Sequence, residues 1–386
     1  MRKLRIKLEG TIMARRWAIN GRFLSQPTTG VQRYARETVR ALDCWIAEQT
    51  LLARGLEVEL LVPPGAESLE LKAIEIRQVG RLGGHAWEQV ALAARPKGTG
   101  LLSLCNTGPI AARKQIVCIH DANVWNAPQS YSLAFRGLYR VLLPAVGRAA
   151  WSVSTVSSYS LEEMIRHKIA PAGRLFLAPN GHEHALRWKP EHSAETRLAA
   201  SRDTIVMIGS AAPHKNAGFI LDMADRLGRA GLRIAIVGMS DPRVFRSGRS
   251  RAEAANVHWL GRIPDSQLAA LLRDSMCLAF PSLTEGFGLP ALEAMAIGCP
   301  VVVSDRASLP EICGGAALFA PPDNPDAWFD SFMRLHGSPD LRLEMIGKGR
   351  ARASRFSWRR TALRYLEAMA AADGVRAAAG RELELT

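Results

Sequence analysis

At 386 residues the chain is too long for one ordinary hydrophobic core, and two domains of roughly 180 residues each are the natural division. Hydrophobic residues make up 48% of it, which excludes a disordered chain and suits a globular α/β protein. The formal charge of +14 suits nucleic acid, an anionic lipid surface or a phosphate-bearing substrate, and an arginine-rich composition inherited from a GC-rich genome is the plainer alternative.

The first strand is expected at Trp17–Asn20. The fifteen or so residues before it read as a loose extension or as the product of an upstream start. A loop through Gly30 leads to a helix from about Val31 to Leu52. Further strands are expected at Val58–Val62, Leu101–Leu104, Gln115–Ile119 and Ser152–Val156, each an apolar run bounded by turn residues and separated by helix-like segments. That alternation predicts a mostly parallel sheet with helices on both faces. Pro179-Asn180-Gly181 is a turn signal, and the polar stretch to about Ser201 reads as a linker.

A second alternating series follows. Thr204–Ile208 reads as strand, Asn216–Ala230 as helix, Arg233–Val237 as strand, Asp265–Arg273 as helix and Met276–Phe280 as strand. A helix at Pro290–Ile297, a strand at Pro300–Val303, a helix around Asp326–His336 and a final helix from Phe356 to about Ala371 complete it. Two doubly wound units of this kind bind ligands where loops leave the carboxyl ends of their strands. The expected domains are 1–182, 183–355 and a C-terminal helix, 356–386, packing back towards the first.

The most informative segment is PSLTEGFGLPALEAMAIGCPVVVSD, Pro281 to Asp305. A buried strand ends at Pro281, a loop delivers Glu285 before Gly286-Phe287-Gly288, and Pro290 sits where a helix does not need its N–H. The N–H groups around Gly286, Phe287, Gly288 and Leu289 then lie at a helix start, which attracts phosphate, and the glycines let a ligand approach the backbone. Glu285 and Glu293 are eight positions apart, so they can accept hydrogen bonds from hydroxyls on different parts of one extended ligand. The bland alternative makes Glu285 a helix-dipole partner and Glu293 a surface charge.

This segment resembles the E-x7-E motif of the large retaining glycosyltransferase family of GT-B fold, often called family four or group one. Both glutamates, the glycine pair, Pro290, the EAMA stretch and Gly298-Cys299-Pro300 carry the resemblance. It implies two Rossmann-like, doubly wound α/β domains facing across a cleft. Four other pieces fall in family order. GRFLSQPTTGVQRYARE, Gly21 to Glu37, is similar to an N-terminal loop whose glycine, here Gly30, brings its amide to the donor phosphate; an ordinary N-cap turn at Thr29 is the alternative. IHDANVW, Ile119 to Trp125, resembles a loop whose histidine contacts the donor sugar, so His120 inherits that role beside the alternative of a structural His120–Asp121 pair. IGSAAPHKN, Ile208 to Asn216, matches the phosphate-binding stretch. Lys215 stands for the family lysine at a helix start, where a cation is unfavourable unless an anion is bound. Ser210 replaces the arginine common in relatives, with His214 or Arg262 able to compensate. LGRIPDSQLAALL, Leu260 to Leu272, is similar to the segment that frames the nucleotide base, and it places Arg262 and Ile263 near the donor. Asn180-Gly181-His182-Glu183 departs from the family's NG followed by an apolar residue and aspartate, and reads as a hinge detail.

The resemblance implies a retaining, metal-independent hexosyltransferase with no cofactor, and there is no DxD motif to hold a metal. His120, Lys215 and Glu285 are the expected catalytic residues. The donor is a nucleotide sugar, GDP-mannose first and a UDP-sugar second. The acceptor is a glycan or a polyprenyl-diphosphate-linked glycan of polysaccharide biosynthesis. Residues 1–182 hold 24 Lys and Arg against 13 Asp and Glu, while 183–386 hold 26 against 23. The basic acceptor half, with Arg33, Arg36 and Arg40 on its first helix, is therefore expected to touch anionic membrane. A catalytically idle partner subunit and a nucleic-acid-binding protein are the alternatives of other classes, and no nucleic-acid-binding motif supports the latter.

The six cysteines lie far apart without a CxxC pair, and they read as small buried residues in a reducing compartment. No run of about 18 apolar residues occurs, and Arg15-Arg16 has no apolar stretch behind it to make an export signal. The expected location is the cytoplasm, with peripheral contact at the inner face of the membrane.

Overall fold

The computed structural model describes residues 15–209, 212–238 and 254–375. Strands alternate with helices throughout. The first stretch holds β1 (Arg15–Asn20), α1 (Gly30–Ala47), β2 (Leu56–Val62), β3 (Glu75–Gln78), α2 (Gly84–Val90), β4 (Gly100–Ser103) and β5 (Gln115–Cys118). It continues with α3 (Asn123–Asn126), α4 (Leu133–Ala149), β6 (Ser152–Thr155), α5 (Ser158–Arg166), β7 (Leu175–Leu177), α6 (Glu183–Leu186) and α7 (Ala194–Ala199). The second series holds β8 (Thr204–Ile208), α8 (Ala217–Leu221), α9 (Ala224–Arg229), β9 (Arg233–Val237), β10 (Val257–Gly261), α10 (Asp265–Asp274) and β11 (Cys277–Phe280). After these come α11 (Leu289–Ile297), β12 (Val301–Ser304), α12 (Leu309–Cys313), β13 (Leu318–Ala320), α13 (Pro325–Gly337), α14 (Pro339–Ala353) and α15 (Trp358–Ala372).

The chain divides into two compact units. As far as they are described, one comprises residues 15–117, 149–152 and 362–375, and the other 118–148 and 153–361. The first unit orders its strands β3-β2-β1-β4-β5, every pair parallel. Trp17, Ile19, Leu60, Leu101 and Ile116 are almost wholly buried along these strands, and Tyr34, Val39 and Leu42 of α1 are buried with them. The second half of α15 belongs to this unit. Its Tyr365 hydroxyl lies 2.7 Å from that of Tyr34, and Tyr365, Leu366 and Met369 are buried.

Two buried charge clusters tie the first unit together. Asp373, at 4% side-chain exposure, accepts from Arg15 Nε at 2.7 Å and Lys114 Nζ at 2.6 Å, and Trp17 Nε1 adds a bond at 3.0 Å. Glu88, just past the centre of α2, has Asn20 Nδ2 at 2.7 Å, Thr107 Oγ1 at 3.0 Å and His85 Nδ1 at 3.0 Å as hydrogen-bond partners, and Arg22 beside it as an ion pair with Nε at 3.0 Å. A buried carboxylate is tolerable only with such partners. Burial alone would raise the Glu88 carboxyl; His85, Arg22, Asn20 and Thr107 outweigh it and hold it below the ordinary range.

The second unit pairs β6 with β7 and orders its other strands β10-β9-β8-β11-β12-β13, again all parallel. Ile205, Leu227, Ile236, Cys277, Trp328 and Phe332 lie in its core. The chain builds outwards from β8 to β10, then returns to the other side of β8 with β11. The β8/β11 border is therefore a topological switch point, where a doubly wound sheet opens a crevice at its strand ends.

The two parallel α/β series match the expected fold class. The strands that the sequence did not announce, β3, β7, β10 and β13, are each the outermost of their sheet. An edge strand buries less of itself and carries a weaker apolar signal: Glu75–Gln78 reads EIRQ and is half-buried at one residue only. The helix expected over Asn216–Ala230 is two, interrupted at Asp222-Met223, and nothing in the structure explains the break. Helix α14 lacked an apolar stripe because Gly349 stands on its buried face between Met345 and Ala353; it lies against Met295, where an added Cβ would come within 3.4 Å. The cysteines are all free, but Cys44 is exposed and Cys105 half-buried, which corrects the expectation of six buried thiols.

Candidate donor site

The loops leaving β8 and β11 meet at the switch point of the second unit. After β8, Pro213-His214-Lys215 form one 3-10 turn, and Asn216 takes a left-handed conformation (φ 53°) that turns the chain into α8. The Leu283 N–H donates to the His214 carbonyl at 2.8 Å, which joins this turn to the loop after β11. Across that junction Lys215 Nζ lies 2.6 Å from Glu285 Oε1. Lys215 also sits over the Phe280 ring at 5.6 Å, and its side chain keeps 24% exposure. The ammonium has three donors, and Glu285 takes one. Among the described residues no acceptor takes the other two.

The loop from Glu285 to Gly288 is held by side-chain hydroxyls. Ser308 Oγ donates to the Glu285 carbonyl at 3.0 Å, and Ser157 and Ser160 Oγ donate to the Gly286 carbonyl at 2.6 and 3.1 Å. Gly288 has φ +98°, a conformation that favours glycine, and starts α11 with Pro290 in its first turn. Among the described residues the N–H groups of Gly286, Phe287, Gly288 and Leu289 have no protein acceptor. Unpaired amides at a helix start, with an ammonium nearby, favour an anion.

The glycines serve the protein's own packing rather than opening a path for a ligand. A Cβ at Gly286 would come within 2.5 Å of the His120 carbonyl, and one at Gly288 within 2.6 Å of Leu309 Cδ2. Phe287 turns its ring edge-on to Phe356 with centroids 5.6 Å apart, so its side chain is part of the packing and its backbone faces the site.

His120 follows β5 and is 6% exposed. Its carbonyl lies 3.0 Å from Ser160 Oγ, whose single proton is shared with the Gly286 carbonyl, so the His120 loop and the Glu285 loop share one anchor. The Asp121 carboxylate accepts from the Asn123 N–H at 2.9 Å, an Asx turn that opens α3. Thr284 Oγ1 and Asn123 Oδ1 are 3.1 Å apart, a second tie between the two loops.

His214 is buried, with Nδ1 2.8 Å from Ser130 Oγ. Burial and the neighbouring Lys215 lower its basicity, against the pull of Glu285 and Asp121. Tyr131 stacks on Phe135 and His214 with ring centroids 5.3 and 6.5 Å away. Burial, Asp121 and Glu285 push its phenol far above the ordinary value. The sequence offered no motif for Ser130 or Tyr131.

Glu293 is not the surface charge of the bland alternative. Its Oε1 lies 2.8 Å from His184 Nε2, and Trp358 Nε1 donates to His184 Nδ1 at 2.9 Å. An indole N–H can only donate, so His184 is the neutral tautomer with its proton on Nε2, directed at Glu293. Glu183 accepts from the Trp358 N–H at 3.0 Å and from Ser357 Oγ at 2.5 Å, and His182 Nδ1 lies 2.6 Å from the Phe356 carbonyl. The departure noted at His182-Glu183 is thus a clasp on the start of α15. The Phe356-Ser357-Trp358 run was the signal available for it.

Gly30 opens α1 in the first unit with open space at its Cα. Arg262 is exposed at the end of β10, with Ile263 half-buried beside it. Ser210 lies outside the described residues. Among the described residues no group of His, Cys, Asp and Glu could hold a metal ion, and no helix is long and apolar enough to cross a membrane.

Residues 189–352 match the family model for glycosyl transferases group 1. The chain is 27% identical over 263 residues to O-antigen chain mannosyltransferase B of Escherichia coli, covering 65% of this chain and 68% of that one. It is 29% identical over 326 residues to an MMP alpha-(1->4)-mannosyltransferase of Mycolicibacterium hassiacum, covering 79% and 76%. Its fold is similar to that of sucrose-phosphate synthase from Thermosynechococcus elongatus, with TM-score 0.70 and 19% identity over 93% of this chain and 99% of that one. The Anabaena protein HepE, solved in complex with UDP and glucose, gives TM-score 0.64 and 15% identity over 93% and 100%.

Proposed function

We propose that the chain, whose residues 189–352 match the model for glycosyl transferases group 1, is a glycosyltransferase of GT-B fold that moves a mannosyl group from GDP-mannose, with retention, to a glycan carried on a polyprenyl diphosphate. The observation that carries the reading is the Lys215–Glu285 pair at 2.6 Å beside four unpartnered amides at the start of α11. The amides and the two remaining ammonium protons match the oxygens of a diphosphate. Glu285, held beside them, accepts from the sugar hydroxyls. Glu293, aligned by His184, serves the ribose.

In this reading the bond from the anomeric carbon to the diphosphate oxygen breaks as the acceptor oxygen bonds to the same face of that carbon. The acceptor's proton passes to the departing phosphate oxygen. Charge grows on the leaving group, and Lys215 and the amides are already arranged to meet it. The serine hydroxyls on the Glu285 and Gly286 carbonyls keep that arrangement fixed without substrate. His120, in the adjacent loop, contacts the sugar near the reacting carbon. Relatives named mannosyltransferases favour mannose, and a UDP-sugar is the second reading, since HepE was solved with UDP.

Thermal unfolding in the presence of GDP, UDP, ADP and their sugars tests the proposal. A ligand held only by the folded chain at 100 times its Kd adds about 2.7 kcal/mol of stability. GDP and GDP-mannose should raise the midpoint most, and the Lys215→Ala chain should lose most of that rise. A shift with UDP-sugars alone would move the donor assignment; none with any nucleotide would end it.

A further inference from the structure

Helix α4 presents its apolar residues to solvent. Leu133 is 77% exposed, Leu138 53% and Val141 72%. At helical spacing these side chains and Ala134 share one stripe, and Gly137 within it has open space where a Cβ would stand. The opposite stripe, further along, is ordinary core: Leu142, Leu143 and Val146 are buried.

The charge around this stripe has one sign. Residues 122–161 contain Arg136, Arg140 and Arg148 and not one Asp or Glu. A stripe for a protein partner carries no such requirement, whereas an apolar stripe bordered by arginines and free of carboxylates complements the acyl and anionic headgroup layers of a bilayer. On α1, by contrast, Arg36 pairs with Glu67 and Arg40 with Glu37. The basic helix singled out by the sequence is thus partly neutralised within its own unit.

The helix also starts at the donor site. Ser130, three residues before Leu133, contacts His214, and Tyr131 stacks on that imidazole. We infer that the exposed stripe of α4, Leu133 to Val141, is the surface by which the protein docks on an anionic membrane, laying the mouth of the donor site beside the headgroups from which a lipid-linked acceptor is taken. This rests on the lipid-linked acceptor proposed above only for its second half; the docking itself does not.

The test is co-sedimentation of the full chain with vesicles of equimolar phosphatidylglycerol and phosphatidylcholine, and with vesicles of phosphatidylcholine alone. Binding to the anionic vesicles is expected to fall about tenfold or more in Leu138→Asp/Val141→Asp and about fivefold in Arg136→Gln. The first variant changes exposed side chains and the second a half-buried arginine outside the donor site, so nucleotide-induced thermal shifts should be unaffected, which shows the fold and donor site intact. Wild-type binding equal in both variants, or absent from anionic vesicles, overturns the inference. So does a wild-type dimer, seen by light scattering, that Leu138→Asp/Val141→Asp converts to monomer without any change in vesicle binding. Intact vesicle docking with no transfer to any polyprenyl-diphosphate acceptor would refute the acceptor reading and leave the surface standing.

Discussion

The His184 relay can be perturbed with a defined cost. Leucine at position 184 fills much of the same space but offers no proton to Glu293 and no acceptor to Trp358. Both groups are buried: Trp358 is 3% exposed and the Glu293 side chain 8%. Leaving a buried polar group without its partner costs about 1–3 kcal/mol, with a charged group at the upper end. His184→Leu is therefore expected to cost about 1–3 kcal/mol in urea unfolding. The pairwise part follows from a cycle with Trp358→Phe. In the His184→Leu background the indole N–H no longer has its bond to His184 to lose, so Trp358→Phe should cost about 1 kcal/mol less there. On the proposed ribose role, a Glu293 that has lost the His184 proton should raise KM for the nucleotide sugar more than it lowers kcat, because a grip on the ribose would be equal before and during transfer. His184→Gln, which restores an N–H towards Glu293, should recover part of the affinity. Additive costs to within about 0.5 kcal/mol would refute the relay, and an unchanged KM would refute its bearing on the ribose.

Three further outcomes follow from the geometry. Lys215→Ala and Glu285→Gln should each lower turnover about a hundredfold, measured as release of free nucleoside diphosphate in the presence of acceptor; near-normal rates in both would contradict the assignment. The Glu88 carboxyl is held below its ordinary value of 4.5, so the stability it contributes is complete above that value and lost as pH falls through the lower, folded one. Glu88→Gln should flatten the acid limb of the unfolding curve. His214 is less basic than the usual 6.5, so its neutral form supports the fold above that pH and this support is lost as acid protonates it. His214→Gln should flatten the loss of stability as pH falls from 6.5 through the lower folded value, read by urea unfolding across that range.

Much of the candidate site was legible because a short segment encodes both its backbone and its charges. Glycine, phenylalanine, glycine and a proline after an apolar strand specify a turn and a helix start, and the glutamates fall on either side of that start whatever the rest of the chain does. The partners were not legible. His184 is 109 residues from Glu293 and Trp358 is 174 from His184, and no local period relates them. The reading of Gly286 and Gly288 erred for the same reason: the sequence shows that a Cβ is missing, but only the fold shows that the His120 carbonyl and Leu309 take the space.

Those long-range partners bear on how a chain with so little charge at its site could stabilise a departing diphosphate. One ammonium and four amides are a modest set of donors, and in water each would be worth little. Their value comes from being fixed before the substrate arrives. Ser157, Ser160 and Ser308 spend their hydroxyls on the carbonyls of residues 285 and 286. That holds the intervening peptide units in place and directs their N–H groups the other way. The serines are therefore positioning residues. Ser160→Ala removes one hydroxyl shared by the His120 and Gly286 carbonyls and touches no ligand group directly. It should lower kcat by about tenfold, leave KM for the donor within about twofold, and be partly rescued by threonine. A Ser160→Ala chain with unchanged kcat in single-turnover assays would show that the loop holds its shape without this anchor.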